Sequence, residues 1–301
     1  MGKLFKNCYD GSMKININSY NYGNAAADTH CADGPTVLKN LLMRAGISDL
    51  SWQADLKTTH QAYQQTALKD VAQLCAALAQ ATEQCVLKKE FFITLGGDHS
   101  CAIGTWSGAA TAVQNQGELG LIWIDAHMDA HTVKTSFTQN IHGMPIACLL
   151  GHGEKALTRI LSSQPKIKPE NLVLIGVRSF EPEEEILLKK LNVKIFYMEE
   201  VAELGLKKVI LQSIEIANKN TIGFGLSVDI DAIDPLDAPG TGTTEKNGIR
   251  ANDFLQNLHF IAQNKKLIGA EIAEFNPSKD QQNKTANIII EMIKILNDYF
   301  K

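Results

Sequence analysis

The chain has 301 residues, 45% of them hydrophobic and 21% charged, with a formal net charge of −4. This is ordinary globular composition, and its mild acidity gives no electrostatic basis for binding nucleic acid or an anionic membrane. The longest apolar runs, such as residues 74–79, are far too short to span a bilayer.

The N-terminus, MGKLFKNCYDGS, lacks the apolar core of a secretory signal. Lys6 stands where a myristoylation signal beginning at Gly2 needs Ser or Thr. Six cysteines (Cys8, Cys31, Cys75, Cys85, Cys101, Cys148) form no C-x-x-C pair, which suits reduced thiols in a cytoplasmic protein.

Residues 14–18 alternate weakly and read as an edge strand, and the small polar residues 23–34 as a loop. Pro35 sits well in the first turn of a helix over 36–45 that Gly46 ends. Ala and Leu at helical spacing over 71–86 predict a long surface helix from about Thr59. A buried strand over 91–95 stops at two glycines. A helix rich in small residues follows over 101–114, then a strand over 121–124. Further on, 146–150 reads as helix, 171–177 as strand, 182–191 as helix, 194–197 as strand and 206–217 as helix. The chain closes with a strand over 221–228, a helix over 252–263, a strand over 267–272 and a helix over 283–300. Continuous apolar strands alternating with helices, with no linker or repeat, predict one α/β domain over 1–301. It should have three α/β/α layers and a mainly parallel central sheet.

Four of these strands run into acids or histidines. The first leads to Asp98 and His99, the second to Asp125, His127 and Asp129, the third to Asp229, Asp231 and Asp234, and the fourth to Glu274. A parallel sheet gathers its ligand site beyond the carboxyl ends of its strands, so these groups should meet. Singly, each Asp is ordinarily a turn residue or a helix cap; Asp234-Pro235 fits a turn, and Asp98 fits a backbone acceptor or ligand orienter. Together, so many carboxylates in one place would repel strongly unless cations neutralised them. The set is mostly carboxylate with imidazole and no cysteine, which suits Mn²⁺, with Fe²⁺, Co²⁺ or Zn²⁺ as alternatives. Two such ions roughly 3.5–4 Å apart can share a water and bring its pKa toward ~7, making a hydroxide available against a poor electrophile. His131 and His142 are then free for proton transfer or substrate contact.

The blocks GGDHS (96–100), DAHMD (125–129), SVDIDAIDP (227–235) and AEFNP (273–277) resemble, in order and spacing, the four signature blocks of the ureohydrolases. That family comprises arginases, agmatinases and related guanidino or formimino hydrolases. With Gly-Pro-Thr at 34–36 the likeness spans nearly the whole chain. The resemblance implies a two-Mn²⁺ amidinohydrolase. His99, Asp125, Asp129 and Asp229 would hold one ion; Asp125, His127, Asp229 and Asp231 would hold the other. Glu274 would pair with the substrate guanidinium, Asp129 would also hold the bridging hydroxide, and His142 would shuttle the proton. Thr243 would be a hydroxyl on the substrate side.

The loop after DAHMD resembles the arginase version, with Ser136, Thr138 and Asn140 at positions that bind an α-carboxylate and His142-Gly143 closing it. Residues 177–182 resemble the arginase segment that reaches the α-amino group, with Glu181 in place of the usual Asp and Glu184 to assist. His131 stands where many arginases have an Asn, and Phe137 is apolar among polar contacts. The implied reaction is L-arginine and water to L-ornithine and urea. The alternatives are an agmatinase or other guanidino hydrolase, and a non-catalytic metal-binding relative. The resemblance also implies a homo-oligomer, a trimer or hexamer.

Overall fold

The computed structural model describes residues 14–47, 49–60 and 62–300. Cys8 and the N-terminal segment read above for targeting signals lie outside the described residues. The elements run β1 (Ile15–Asn21), α1 (Gly34–Arg44), β2 (Leu50–Lys57), α2 (Leu68–Leu87), β3 (Phe92–Gly96), α3 (Cys101–Val113) and β4 (Glu118–Ile124). After a long loop come α4 (Pro145–Leu149), α5 (Lys155–Thr158), β5 (Leu172–Val177), α6 (Pro182–Lys190), β6 (Lys194–Tyr197), α7 (Met198–Leu204) and α8 (Leu206–Asn218). The chain ends with β7 (Thr221–Asp229), α9 (Ala251–Ala262), β8 (Leu267–Ala273) and α10 (Lys284–Phe300).

The eight strands among the described residues join one sheet in the order β2-β1-β3-β8-β7-β4-β5-β6, and every pairing is parallel. The four strands at its centre are the ones that carry the acids and histidines. Successive residues of β4 feed opposite layers. Ile122 and Ile124 pack with α8, α9 and α10, while Leu121 and Trp123 pack with Trp106 of α3. A sheet covered on both faces needs apolar residues at every position, which is why these strands lack alternation. No described helix is long and apolar enough to cross a membrane.

Two sequence expectations need correction. The strand read over 14–18 is not at the edge, because β2 lies outside it. β2 escaped notice because the half-exposed outer strand LSWQADLK carries polar residues on its open side. The long helix begins at Leu68 rather than near Thr59, behind a short helical turn at Gln64–Ala67. The seven-residue α7 was also unforeseen. The five described cysteines are all buried free thiols, in keeping with the reduced state expected.

One close approach on the apolar side is testable. A Cβ on Gly225 of β7 would lie 2.0 Å from the Trp106 ring, which is fully buried. Gly225→Ala should therefore destabilise the fold by about 1–3 kcal/mol, the usual cost of overpacking. A lowered denaturant midpoint would show it; an unchanged midpoint would mean that the ring relaxes freely.

Candidate active site

The ends of β3, β8, β7 and β4 deliver their side chains to one point. Residues 96–97 bring the backbone of the β3 end against neighbouring chain. Gly97 N donates to Tyr20 O, Asp98 N to Tyr22 O, and Glu274 N to Gly97 O, all at 2.7–2.8 Å. A Cβ on Gly97 would lie 2.0 Å from Tyr22 O, so only glycine fits. Asp98 is a backbone acceptor, as expected: it takes Ala25 N and the N–H and hydroxyl of Ser100. Ala25 O in turn accepts from His142 N. Asp98 thereby steadies His142 through the intervening loop. Asp234 is likewise the expected turn residue, accepting from Leu236 N and Gly248 N.

His99 is the centre of the cluster. Its Nδ1 lies 3.3 Å from Asp125 Oδ2, 3.2 Å from Asp129 Oδ2 and 3.0 Å from Asp229 Oδ2. Its Nε2 faces Ser227 Oγ at 3.0 Å and Glu271 Oε1 at 3.2 Å. A carboxylate behind Nε2 fixes the proton there. In the neutral ring the Nδ1 lone pair then points at three carboxylates, and that buried atom has no hydrogen-bond partner. Beside it, His127 Nδ1 lies 3.0 Å from Asp231 Oδ2 and 3.5 Å from Asp125 Oδ1. The donor set thus divides into two adjoining groups, His99 with Asp125 and Asp229, and His127 with Asp125 and Asp231. Each is compact enough to surround a cation, and they share Asp125.

The acids are held from behind. Trp123 Nε1 donates to Asp125 Oδ2 at 2.8 Å while its ring stacks on His99, centroids 4.2 Å apart. Asp229 Oδ1 accepts from Asp231 N, and Asp231 Oδ1 from Ala126 N. Asp129 (φ 45°) and Glu274 (φ 64°) both occupy the left-handed region, a strained choice for side chains that must turn into a site.

Burial and mutual repulsion dominate the titration of the cluster. Burial, then the charge of Asp125, pushes Asp129 up to about 6. Burial, then Asp231 and Asp125, pushes Asp229 well above the carboxylate range, and burial raises Asp231. Burial opposes the charged form of His99, but its four carboxylate neighbours hold the imidazolium well above the ordinary imidazole range. Protons therefore stand in for cations here, and a divalent ion entering would displace them.

In front of the cluster lies a cavity of about 240 Å³. Its walls include every residue assigned from the sequence to substrate contact: His131, Ser136, Thr138, Asn140, Glu181, Glu184 and Thr243, with His142 and Glu274. Glu274 is buried. Its Oε1 accepts from His99 N at 2.8 Å and pairs with His142 Nδ1 at 3.0 Å, and its Oε2 accepts from the Cys31 thiol at 3.2 Å. At the other end, Glu184 accepts from Ala130 N and Glu181 N. His131 Nε2 meets Glu181 at 3.0 Å and its Nδ1 meets Thr135 Oγ1 at 3.1 Å. The His131 ring is thus taken up by Glu181 and Thr135. Gln139, with φ 60°, ties the loop by donating to Val133 O and Ser136 O, while Phe137 is fully exposed at the rim. A wider cleft of about 970 Å³ along Arg178, Phe180 and Glu245 contains none of the clustered aspartates.

Sequence reasoning missed the support layer. Trp123 had a visible signal, lying two residues before Asp125 on the same strand face. So did Glu271, a lone acid inside an apolar strand, paired in register with Ser227. Cys31 had none, since it meets Glu274 from 243 positions away.

His142 gives a direct electrostatic test. Burial disfavours its charged ring, but the Glu274 carboxylate overrides this and raises it to about 9. In metal-free protein its imidazole resonances should titrate near pH 9. Glu274→Gln removes the charge that stabilises imidazolium, so the titration should move down toward the ordinary value. Unmoved resonances would contradict the pairing.

Comparison with known proteins follows the same lines. The model of the Arginase family matches residues 20–296. An arginase of Bacillus caldovelox is 42% identical over 226 residues, 75% of each chain. The crystal structure of arginase from Bacillus subtilis superposes with a TM-score of 0.87 at 33% identity, covering 94% of this chain and 98% of that one. Entamoeba histolytica arginase, solved in complex with L-ornithine, superposes at 0.86 with 28% identity over the same shares.

Proposed function

This chain belongs to the arginase family, and from that premise we propose how its site converts L-arginine and water to L-ornithine and urea. It is a hydrolase acting on the C–N bond of a linear amidine. The observation that carries the reading is the bare Nδ1 of His99, buried against three carboxylates with no partner. A lone pair and several anions converging in a buried site fit a divalent cation. We assign His99, Asp125, Asp129 and Asp229 to one Mn²⁺, and Asp125, His127, Asp229 and Asp231 to a second. The oxygen-rich set favours Mn²⁺ over Co²⁺, Fe²⁺ or Zn²⁺. Bound there, the pair supplies a water of lowered pKa and Lewis acidity toward the guanidinium carbon.

The chain's own residues do the rest. Glu274, ionised and aimed into the cavity, accepts the guanidinium N–H groups and sets the carbon in front of the cluster. Its pairing keeps His142 protonated through neutral pH, so that His142 can deliver a proton to the departing ornithine amine. Asp129, which lines the cavity beside the cluster, is placed to take the proton of the attacking water. Glu181 and Glu184 receive the α-ammonium, and Ser136, Thr138 and Asn140 supply donors for the α-carboxylate. With His131 taken up by Glu181 and Thr135, it is not the principal carboxylate donor. Thr243 offers a hydroxyl along the side of the substrate.

Agmatine has no α-carboxylate and would leave that polar loop unused. Urea release from Mn²⁺-loaded protein, with L-arginine and agmatine compared side by side, decides the substrate. Faster turnover of agmatine would overturn arginine. We further infer that residues 1–301 act as a single unit in the cytoplasm, in keeping with the free thiols. A homo-oligomer, trimer or hexamer, follows from the family resemblance, and light scattering would test it.

A further inference from the structure

We propose that His131, Glu181 and Glu184 form a third divalent-cation site, at the amino-acid end of the cavity, where Zn²⁺ competes with substrate. One donor atom from each of the three lies within 4.8 Å of the others, and none belongs to the two-ion cluster. His131 Nε2 is 3.0 Å from Glu181 Oε2 and 3.5 Å from Glu184 Oε2.

The two nitrogens of the His131 ring face different partners. Thr135 Oγ1 accepts from Thr132 N at 2.9 Å and donates to Thr132 O at 3.2 Å. The same hydroxyl lies 3.1 Å from His131 Nδ1, which leaves Nε2 to face the two glutamates. One imidazole nitrogen and two carboxylates thus converge on one point, an arrangement that a divalent cation held among the three donor atoms would satisfy. Among the described residues, His131 is the only ion-pair partner of either carboxylate. Two acids alone would suit the ammonium of an amino acid. An imidazole lone pair added to them gives an ammonium nothing to bind, yet completes a three-donor metal set.

The frame is rigid where it must be. Glu184 is only 3% exposed and is fixed by the N–H groups of Ala130 and Glu181 at the start of α6. Glu181 is exposed and can adjust. One imidazole nitrogen and two carboxylate oxygens, with a further position open to the cavity, suit the four-coordinate preference of Zn²⁺. The competition with substrate rests on the assignment of Glu181 and Glu184 to the α-ammonium. The third site itself does not.

The test is a metal count. Protein saturated with Mn²⁺ is dialysed against micromolar Zn²⁺ with Mn²⁺ maintained, and total Mn plus Zn per chain is measured. Three ions are expected in the wild type, and two in His131→Asn and in Glu181→Gln. Two ions in the wild type, or three retained in both variants, would overturn the site. A single ion that His131→Asn removes would uphold this site while contradicting the two-ion cluster. In kinetics, Zn²⁺ should raise the KM for L-arginine tenfold or more at unchanged kcat, and His131→Asn should lose that sensitivity. A fall in kcat at unchanged KM would contradict the competition.

Discussion

Asp229→Asn should cut urea formation by roughly a hundred- to a thousandfold or more, the scale of losing a principal electrostatic stabiliser. Asp229 leaves β7 with one oxygen 3.0 Å from His99 Nδ1 and the other fixed by Asp231 N. It is one of two carboxylates assigned to both ions. Asparagine keeps the shape and the backbone hydrogen bond but halves the acceptor capacity and removes the charge. Bound Mn²⁺ should fall from two per chain to one or none. The fold should survive, because burial already raises this carboxyl toward its neutral form. Circular dichroism and metal analysis together separate loss of the ion from loss of the fold. Retention of two ions with near-normal turnover would remove Asp229 from the centre.

Glu274→Gln should act differently. The two ions should remain, because Glu274 is not a ligand, while kcat/KM falls. Removing one partner of a buried charged pair costs about 2–5 kcal/mol, or about thirty- to several-thousandfold. Gln keeps the volume and can still accept from His99 N, which limits disturbance at this strained φ of 64°. It loses the charge that holds the guanidinium and that raises His142. A variant that lost its metals instead would place Glu274 among the ligands.

Much of this site could be read from the chain, and the reason is geometric. In a parallel sheet, a polar residue at the end of an apolar strand has only one place to go. Asp125, His127 and Asp129 end β4, and Asp229 and Asp231 end β7, the strand paired with it. Spacing alone therefore brought them together. The polar loop from His131 to His142 was legible as composition, and all its assigned residues face the cavity. What spacing could not show was which groups each ring nitrogen meets. His131 turned toward Glu181 from 50 positions away, with Thr135 against its other ring nitrogen. β2 was missed because an outer strand needs only one apolar edge, and here the edge is thin.

The most direct measurement of the whole account is urea and L-ornithine formed from L-arginine as a function of Mn²⁺ bound per chain. Activity should rise steeply only as the second ion fills, stop on chelation and return when Mn²⁺ is restored. A chain carrying two ions that released no urea would contradict catalysis, and would leave a metal-binding relative without turnover.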